Sequence, residues 1–442
     1  MQSKRRHLAP TFTGLCPLAI AVFLAGGMWF YVQRVLIPRQ QAEAALHGTP
    51  RGNLSDLYPR WLGARELLLH HRDPYSPELT RDIQIGYYGR ALDPARPQDP
   101  MDQQSFAYPV YVVFLFAPTI TFPFAVAQFG FRWLLIFLTV ATVLLWLRIL
   151  RWRPSVANTA ALVVLTLGSF PVVQGIKLQQ LSLLVAGLIA GCAALLAGGS
   201  FLLVGILLAF ATIKPQLVLL LAAWLLLWAA SDWSQRKNFV WGFVATLTIL
   251  CGAAEYVLPG WLARFREAIA AYRRYTGGAE SVLEVLITPA WGQVLAGLAV
   301  LALLVAGWRH RRAPVDSPAF RWMLALTLAV TGMVVPKSAP YNQVLLLPGI
   351  LLLGMNWGLL WANNRLRRLI VLIAGFLILW PWLAAVSLTA ASLFLPKQSL
   401  QTAWAVPLYT SLAIPITVVV LLSLGFSGIA KLEPNGPGTP RT

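Results

Sequence analysis

The sequence predicts an all-α, polytopic membrane protein, a bundle of about twelve transmembrane helices with a long first external loop. Composition is the first reason, since 58% of the 442 residues are hydrophobic and 12% are charged, with a mean hydropathy of +0.66. A soluble domain could not cover so much apolar surface. The second reason is the recurrence of apolar runs of about 20 residues, the length that spans a hydrocarbon core about 30 Å thick. Helices are expected because backbone amides in lipid must be satisfied within each segment.

The first apolar run, residues 15–37, follows the basic residues Lys4, Arg5 and Arg6. It is longer than the apolar region of an ordinary signal peptide, and no small-residue cleavage site precedes the polar residues that follow. We therefore predict an uncleaved span whose N-terminus lies in the cytoplasm. The polar stretch after it, residues 38–105, is then external.

Eleven further apolar runs bring the predicted crossings to twelve, which places both termini in the cytoplasm. The short basic connections at residues 148–153, 236–237, 309–312 and 365–368 then all fall on the cytoplasmic side, as the positive-inside rule requires. The runs are residues 126–150, 156–173, 181–196, 201–213, 217–230, 239–258, 291–308, 320–335, 344–361, 369–388 and 403–424.

One more apolar stretch, residues 106–125, is left out of this count, because counting it would put the basic residues after the next span outside. Pro109, Pro118 and Pro123 interrupt the stretch, and proline breaks a helix. We predict a re-entrant or interfacial pair of short helices. The alternative, a thirteenth crossing with an external C-terminus, stays open.

We predict a single membrane domain over residues 1–442, with two external regions at residues 38–125 and 259–290. The second region contains the sequence WLARFREAIAAYRRYTGGAES, in which arginines separate apolar residues at helical spacing. This pattern predicts an interfacial helix that covers the active site or guides an anionic lipid. A simple surface anchor is the alternative.

The net charge and the cysteine content restrict the partners and cofactors that we predict. The net charge of +19 follows in part from the cytoplasmic loops, and the remainder suits anionic lipid headgroups or a phosphate ligand, so no nucleic-acid partner is predicted. Cys16, Cys192 and Cys251 lie inside apolar runs without metal-ligand spacing. We therefore predict no disulfide, no metal ion and no other cofactor.

Nine of the sixteen carboxylates lie in residues 38–105, so acid or base chemistry is expected outside.

Asp56 opens an amphipathic segment of the first loop, in which Leu57, Trp61, Ala64 and Leu68 share one face at helical spacing. We predict a helix on the outer membrane surface, with its tryptophan at the headgroup level. Asp56 would then be held at the mouth of the membrane domain. The alternative is that this residue, or the serine before it, is only the N-cap of the helix.

Four sequence landmarks occur in order: SDLYPRWLGARELLLHHRDPYS, FAYPVYVVFLFAPTITFPF, VQGIKLQQLSLLVAGLIAG and LAFATIKPQLVLLLAAWLLL. Together they resemble glycosyltransferase family 87, over roughly residues 10–360. The resemblance implies a GT-C-like fold and an activity similar to that of polyprenyl-phosphate-mannose-dependent mannosyltransferases. It also implies a catalytic aspartate in the first external loop that acts on the acceptor. The matching position in this sequence is Asp56.

Such a reaction needs cations, since the lipid phosphate leaves as an anion whose developing charge must be stabilised. The phosphate is a weak base, so no general acid is required and one carboxylate base suffices. Lys214 lies between two apolar runs, which Pro215 separates. An ionisable residue at such a break in a membrane helix is a functional candidate. Lys177 and Lys337 reach the outer face in the same topology. Snorkelling to the interface is the alternative for the first lysine.

Polar residues near these lysines are candidates for binding the sugar or the phosphate. They are Gln179, Gln180, Tyr341 and Asn342, although polar contacts between helices explain them as well. Members of the family often carry a histidine where this sequence has PYNQVLLLP, so the chain departs from the family pattern there. Asp73 matches a family landmark and is a further substrate-binding candidate, with a turn before Pro74 as the structural alternative.

These features predict a membrane hexosyltransferase. It would transfer a mannose-like hexose from a polyprenyl-phosphate sugar to an acceptor hydroxyl at the outer face of a bacterial plasma membrane, with inversion and without a metal ion. The acceptor would be a glycolipid, a glycan or a protein, and membrane lipids would surround the enzyme. The alternative is a transporter or flippase for a lipid-linked sugar. A transporter should show two similar halves with charges at the midplane, and the sequence shows neither.

Overall fold

Helices account for most of the chain in the computed structural model, which describes residues 15–46, 48, 55–93, 95–97, 99–100, 102–275, 280–336, 338–361, 364–396, 400 and 403–429. No β-strand occurs within these ranges. The predicted all-α membrane fold class is confirmed.

The helices are numbered in chain order. The first part of the chain forms α1 (Leu15–Tyr31), α2 (Ile37–Leu46), α3 (Leu57–His70), α4 (Pro77–Tyr88), α5 (Val113–Phe116) and α6 (Phe124–Ile149), with a π-helical turn at Val32–Leu36 and 3₁₀ turns at Val110–Val112 and Ala117–Thr119. The middle forms α7 (Val156–Leu167), α8 (Phe170–Lys177), α9 (Leu181–Ala197), α10 (Phe201–Ala211), α11 (Pro215–Ala230), α12 (Trp233–Val257) and α13 (Trp261–Tyr275). The last part forms α14 (Val282–Leu286), α15 (Pro289–Arg309), α16 (Pro318–Val334), a 3₁₀ helix at Pro340–Leu346, α17 (Leu347–Met355), α18 (Trp357–Leu360), α19 (Arg365–Phe394), α20 (Val406–Thr410) and α21 (Ala413–Ile429).

Six described helices are long and apolar enough to cross a membrane, and a seventh span results if α7 and α8, which are bent by 58° at their junction, count as one. The remaining predicted crossings correspond to shorter helices. For example, α10 has 11 residues and rises about 16 Å, half of a hydrocarbon core. Helix length and composition thus do not confirm twelve crossings, and that number stays a prediction. The six helices are Cys16–Leu46, Phe124–Ile149, Trp233–Val257, Pro289–Arg309, Arg365–Phe394 and Val406–Gly425.

The first external loop packs on protein. The side of α3 that was predicted to face the membrane is buried, with Leu57, Trp61 and Ala64 at most 4% exposed. The Trp61 indole donates a hydrogen bond to the carbonyl of Thr119 at 3.2 Å, and its ring centroid lies 5.3 Å from that of Phe124. The prediction that this face rests on the outer membrane surface is therefore wrong, because the apolar segment that follows the loop covers it instead of lipid.

That apolar segment forms consecutive short turns of helix over Val110–Thr119. Pro109 stands at the N-cap of the first turn and Pro123 at the N-cap of α6. The turns together rise about 15 Å, half the thickness of a hydrocarbon core. Whether residues 106–125 re-enter or cross the membrane stays a prediction.

One apolar core joins the external loop to the membrane helices. It extends from Leu57 in α3 to Leu422 in α21. Asp56 directly precedes the first of these residues, so its position is fixed relative to the membrane helices.

Helices α10 and α12 approach each other closely because a glycine stands at each contact. A Cβ atom at Gly205 would overlap the carbonyl oxygen of Phe239, and one at Gly242 would overlap the carbonyl oxygen of Leu202. Small residues let membrane helices pack at such distances. The contact fixes α10, which ends just before Lys214.

Cysteine labelling tests the sides assigned to the loops. In a background whose native cysteines are replaced by serine, Glu78→Cys and Arg266→Cys should react with a membrane-impermeant maleimide in intact cells, because both exposed side chains lie in predicted external regions. Lys237→Cys, exposed in a predicted cytoplasmic connection, should react only after permeabilisation. Labelling of that third position from outside would overturn the orientation.

Gly205→Ala should lower the free energy of unfolding by about 1–3 kcal/mol, because the added methyl group forces α10 and α12 apart. Gly252→Ala in α12 is the matched control, since a Cβ atom there meets nothing within 4 Å. Thermal unfolding of the detergent-solubilised protein should show a lower midpoint for the first variant only. Equal midpoints would contradict the close packing.

Candidate functional site

A cavity of about 360 Å³ is enclosed by the first external loop, the broken ends of the membrane helices and α13. Most of its polar and charged lining comes from two sides that are far apart in sequence. The loop side contributes Asp56, Arg60, Asp102, Gln104, Ser105 and Tyr108, the membrane helices contribute Gln180, Lys214, Gln216, Tyr341 and Asn342, and α13 contributes Tyr272 and Arg273.

Asp56 occupies the N-cap position of α3, but its side chain makes no capping hydrogen bond. The local bond is made by Ser55, whose Oγ accepts from the backbone N–H of Leu57 at 3.3 Å. The carboxylate is directed across the cavity instead, where Oδ2 accepts a hydrogen bond from Nε2 of Gln180 and Oδ1 one from the hydroxyl of Tyr87 at 3.5 Å. The capping alternative therefore does not account for this carboxylate.

Lys214 emerges where the chain passes from α10 to α11. Its backbone is not helical, with φ −123° and ψ 77°, and Pro215 begins the next helix, a position at which proline costs no helical hydrogen bond. The lysine is 4% exposed. Its ammonium donates to Oγ of Ser182 at 2.7 Å and to Oε1 of Gln180 at 3.2 Å, and it lies 4.9 Å from the ring centroid of Tyr341.

The 3₁₀ helix at Pro340–Leu346 lines the cavity beside Lys214. Asn342 accepts a hydrogen bond from the hydroxyl of Ser182 at 2.7 Å. Five of the predicted site residues, Asp56, Gln180, Lys214, Tyr341 and Asn342, thus line one cavity. A chain of hydrogen bonds runs from the carboxylate through Gln180, the ammonium and Ser182 to the asparagine.

Two other predicted site residues lie away from the cavity. The ammonium of Lys177 donates to Oε1 of Gln40 in α2 at 2.9 Å. Gln179 is fully buried and uses its amide within the bundle, donating to the carbonyl of Ile176 at 2.7 Å and accepting from Gln128 at 3.2 Å. Neither residue lines the cavity. A third predicted residue, Lys337, lies outside the described residues.

Asp73 starts a turn before Pro74, which is the structural role predicted as the alternative to substrate binding. Its Oδ1 accepts from the backbone N–H of Tyr75 at 2.9 Å, as is usual for an aspartate that starts a turn. Its Oδ2 pairs with Arg264 of α13 at 2.8 Å. The carboxylate is thereby used to join the two external regions and is not part of the cavity lining.

Helix α13 covers the cavity with its apolar side, through Phe265, Ile269 and Tyr272. Its exposed side carries Arg266 and Arg274. The sequence left open whether this segment covers the active site, guides an anionic lipid or is a simple surface anchor. Its contacts with the cavity agree with the first of these roles. Its placement relative to the membrane stays a prediction.

Sequence reasoning missed Arg60, a buried cation on this cavity that is 7% exposed. It follows Asp56 by one helical turn, so its guanidinium returns to donate to the backbone carbonyl of that residue. It also donates to the hydroxyl of Tyr108 at 2.7 Å and stacks over that ring at 4.3 Å. Its Nε is buried without a hydrogen-bond partner among the described residues. The spacing of four residues from the candidate base was the available signal.

Burial raises the pKa of Tyr108, and the charge of Arg60 opposes this effect. The phenol therefore stays protonated at neutral pH. Within the described ranges, no three histidine, cysteine, aspartate or glutamate side chains are grouped so that they could hold a metal ion. The absence of a metal from the reaction stays a prediction.

A comparison with protein families agrees with the resemblance seen in the sequence. The profile of glycosyltransferase family 87 matches residues 106–336, just over half of the chain. The matched part includes Gln180 and Lys214, whereas Asp56 precedes it. Comparisons with characterised proteins and with solved structures gave no match. The chain therefore belongs to glycosyltransferase family 87 and is a membrane glycosyltransferase.

Proposed function

We propose that this enzyme transfers a mannose-like hexose from a polyprenyl-phosphate sugar to an acceptor hydroxyl, at the outer face of a bacterial plasma membrane. The reaction would invert the anomeric centre and need no metal ion, on a GT-C-like bundle. One observation carries the proposal: a single cavity holds a carboxylate, Asp56, and a buried ammonium, Lys214, joined through one amide. Transfer from a lipid phosphate needs this pair of groups, a base and a cation.

Asp56 is the proposed base. As the acceptor oxygen attacks the anomeric carbon, its proton moves to the carboxylate, which is within reach of the cavity and not used to cap α3. The bond between the anomeric carbon and the phosphate oxygen breaks on the opposite face, and its electron pair leaves with the phosphate. A single displacement of this kind inverts the configuration.

Lys214 is the proposed phosphate ligand. The negative charge on the departing phosphate grows during the reaction, and a preorganised cation in a site that excludes water stabilises it most. The ammonium is held by Ser182 and by the ring of Tyr341. Arg60 supplies a second buried cation on the same cavity.

The lipid character of the donor is supported by where the cavity lies. Lys214 and Gln180 stand at the ends of the apolar helices α11 and α9, so a phosphate bound there would leave a polyprenyl chain beside membrane helices. The apolar side chains of Ile213, Phe265 and Ile269 also line the cavity. Family membership favours transfer over the transporter alternative.

Asp56→Asn should lower turnover about a hundredfold or more, because the amide cannot accept the acceptor's proton. Expression and thermal stability should be retained, since the aspartate side chain makes no capping bond. The measurement is transfer from a panel of synthetic polyprenyl-phosphate hexoses, with products identified by mass spectrometry.

Asp73→Asn is the matched control, because that carboxylate serves a turn and an ion pair away from the cavity. It should lower turnover much less. Transfer by Asp56→Asn at the wild-type rate would refute the assignment of the base.

Lys214→Met should lower kcat/KM for the lipid-phosphate donor by about 10- to 150-fold, which corresponds to the loss of a charge-assisted contact worth about 1.5–3 kcal/mol. Lys177→Met is the comparison, because that ammonium contacts Gln40 outside the cavity. The steady-state kinetics of both purified variants should differ clearly. Equal effects would remove the reason to place the phosphate at the first lysine.

A further inference from the structure

Gln180 occupies a place in the cavity that neither a base nor a phosphate ligand explains. It is 1% exposed. Its Nε2 donates to Oδ2 of Asp56, and its Oε1 accepts from the ammonium of Lys214 at 3.2 Å. One amide thus touches both groups to which the proposed reaction assigns a chemical role.

The chemistry of the two neighbours fixes which way this amide points. An ionised carboxylate only accepts hydrogen bonds, and an ammonium only donates them. The –NH₂ group must therefore face Asp56 and the carbonyl oxygen must face Lys214. Glutamine satisfies both neighbours while remaining neutral, whereas leucine satisfies neither and a glutamate in its place would set a carboxylate against a carboxylate.

The backbone around this residue is built to hold it. The residue before it, Gln179, has a left-handed conformation with φ 46°, which is uncommon for any residue except glycine. The side chain of Gln179 ties this turn to Gln128 of α6. The backbone N–H of Gln180 donates to the carbonyl of Gly175 at 2.8 Å, and α9 begins at the next residue. The turn between α8 and α9 therefore aims the amide at the carboxylate.

Other charged and titratable groups also surround this carboxylate. From the external loop and its helices these are Arg60, Tyr87, Asp102 and Tyr108. From the membrane helices and α13 they are Lys214, Tyr272, Arg273 and Tyr341. A hydrogen bond donated to the ionised form of a carboxylate favours that form, so the amide adds to the effect of the cations and opposes that of Asp102.

We propose that Gln180 is a positioning residue for the transfer reaction, whose amide keeps Asp56 ionised and directed into the cavity and links it to Lys214. The inference rests on the proposed function. Its consequence is that a single buried side chain sets the geometry of both the base and the cation. Each of them would lose one of the contacts that orient it if the amide were removed.

Gln180→Glu tests this role with little change of shape. Two carboxylates in contact cannot both ionise easily, so the pair retains a proton to higher pH. The acidic limb of the profile of kcat/KM against pH should therefore move up by about one pH unit or more. Gln180→Met removes the bond to the ionised form and should move the same limb in the same direction while lowering kcat about tenfold.

A second readout does not depend on activity. Infrared difference spectra of the full-length protein in nanodiscs show the carbonyl stretch of a protonated carboxyl group, and Asp56→Asn identifies the part of that band due to Asp56. Its titration midpoint should rise in both Gln180 variants. Gln216→Glu is the matched control, since it adds a carboxylate to the same cavity at a residue whose side chain makes no hydrogen bond to Asp56 within the described structure, and the shift there should be smaller.

The outcomes separate this inference from the proposed function. If Asp56→Asn is inactive but the Gln180 variants fold and keep the wild-type midpoint and limb, the positioning role is refuted and the base assignment stands. If Asp56→Asn transfers sugar normally while the midpoint still rises in the Gln180 variants, the hydrogen-bonded bridge is real, but Asp56 is not the base and the positioning role in the reaction is refuted with it. Should the glutamate variant not fold, the infrared titration of Gln180→Met alone decides.

Discussion

The cost of removing Lys214 from water is the constraint on which the rest of the site depends. An ammonium that is 4% exposed at the end of a membrane helix must be given hydrogen-bond acceptors, or it loses its charge. Ser182, Gln180 and the face of Tyr341 meet that requirement. These three side chains come from two separate parts of the chain. The contacts required by this one buried cation thus bring α9, the start of α11 and the 3₁₀ helix at Pro340–Leu346 together.

Interrupted backbone makes this arrangement possible. Non-helical backbone at membrane depth is tolerated only where protein or water covers it, and here the interruptions are covered by protein beside the cavity. Pro215 separates α10 from α11 at the lysine. The left-handed residue Gln179 separates α8 from α9 beside Gln180, and a second left-handed residue, Gln104, lies in the cavity wall on the loop side. Local strain at a functional site is maintained by the packing around it, and the side chain of Gln179 is fully buried.

The fold class and the general place of the chemistry could be predicted from the sequence, because both follow from hydropathy, proline breaks and the position of carboxylates. Lys214 was found in this way, Asp56 was chosen among the loop carboxylates with the help of the family resemblance, and the structure brings both to one cavity. The choice between Gln179 and Gln180 could not be made, since it depends on one left-handed φ angle that no pattern of residue types reveals. The buried side of α3 was assigned to lipid for a similar reason. Amphipathicity shows that a face is covered, but not whether protein or membrane covers it.

Two contacts hold the first loop in place: Gln180 links Asp56 to Lys214, and Asp73 pairs with Arg264. They differ in their sensitivity to ionic strength. Gln180 joins its partners through a neutral amide that is 1% exposed. The ion pair between Asp73 and Arg264 is partly open to solvent, with side chains 28% and 43% exposed, so it weakens as the Debye length falls. The contact between α13 and the first loop thus depends in part on the ionic strength of the surrounding solution. The contacts of Gln180 are buried, so they are screened much less.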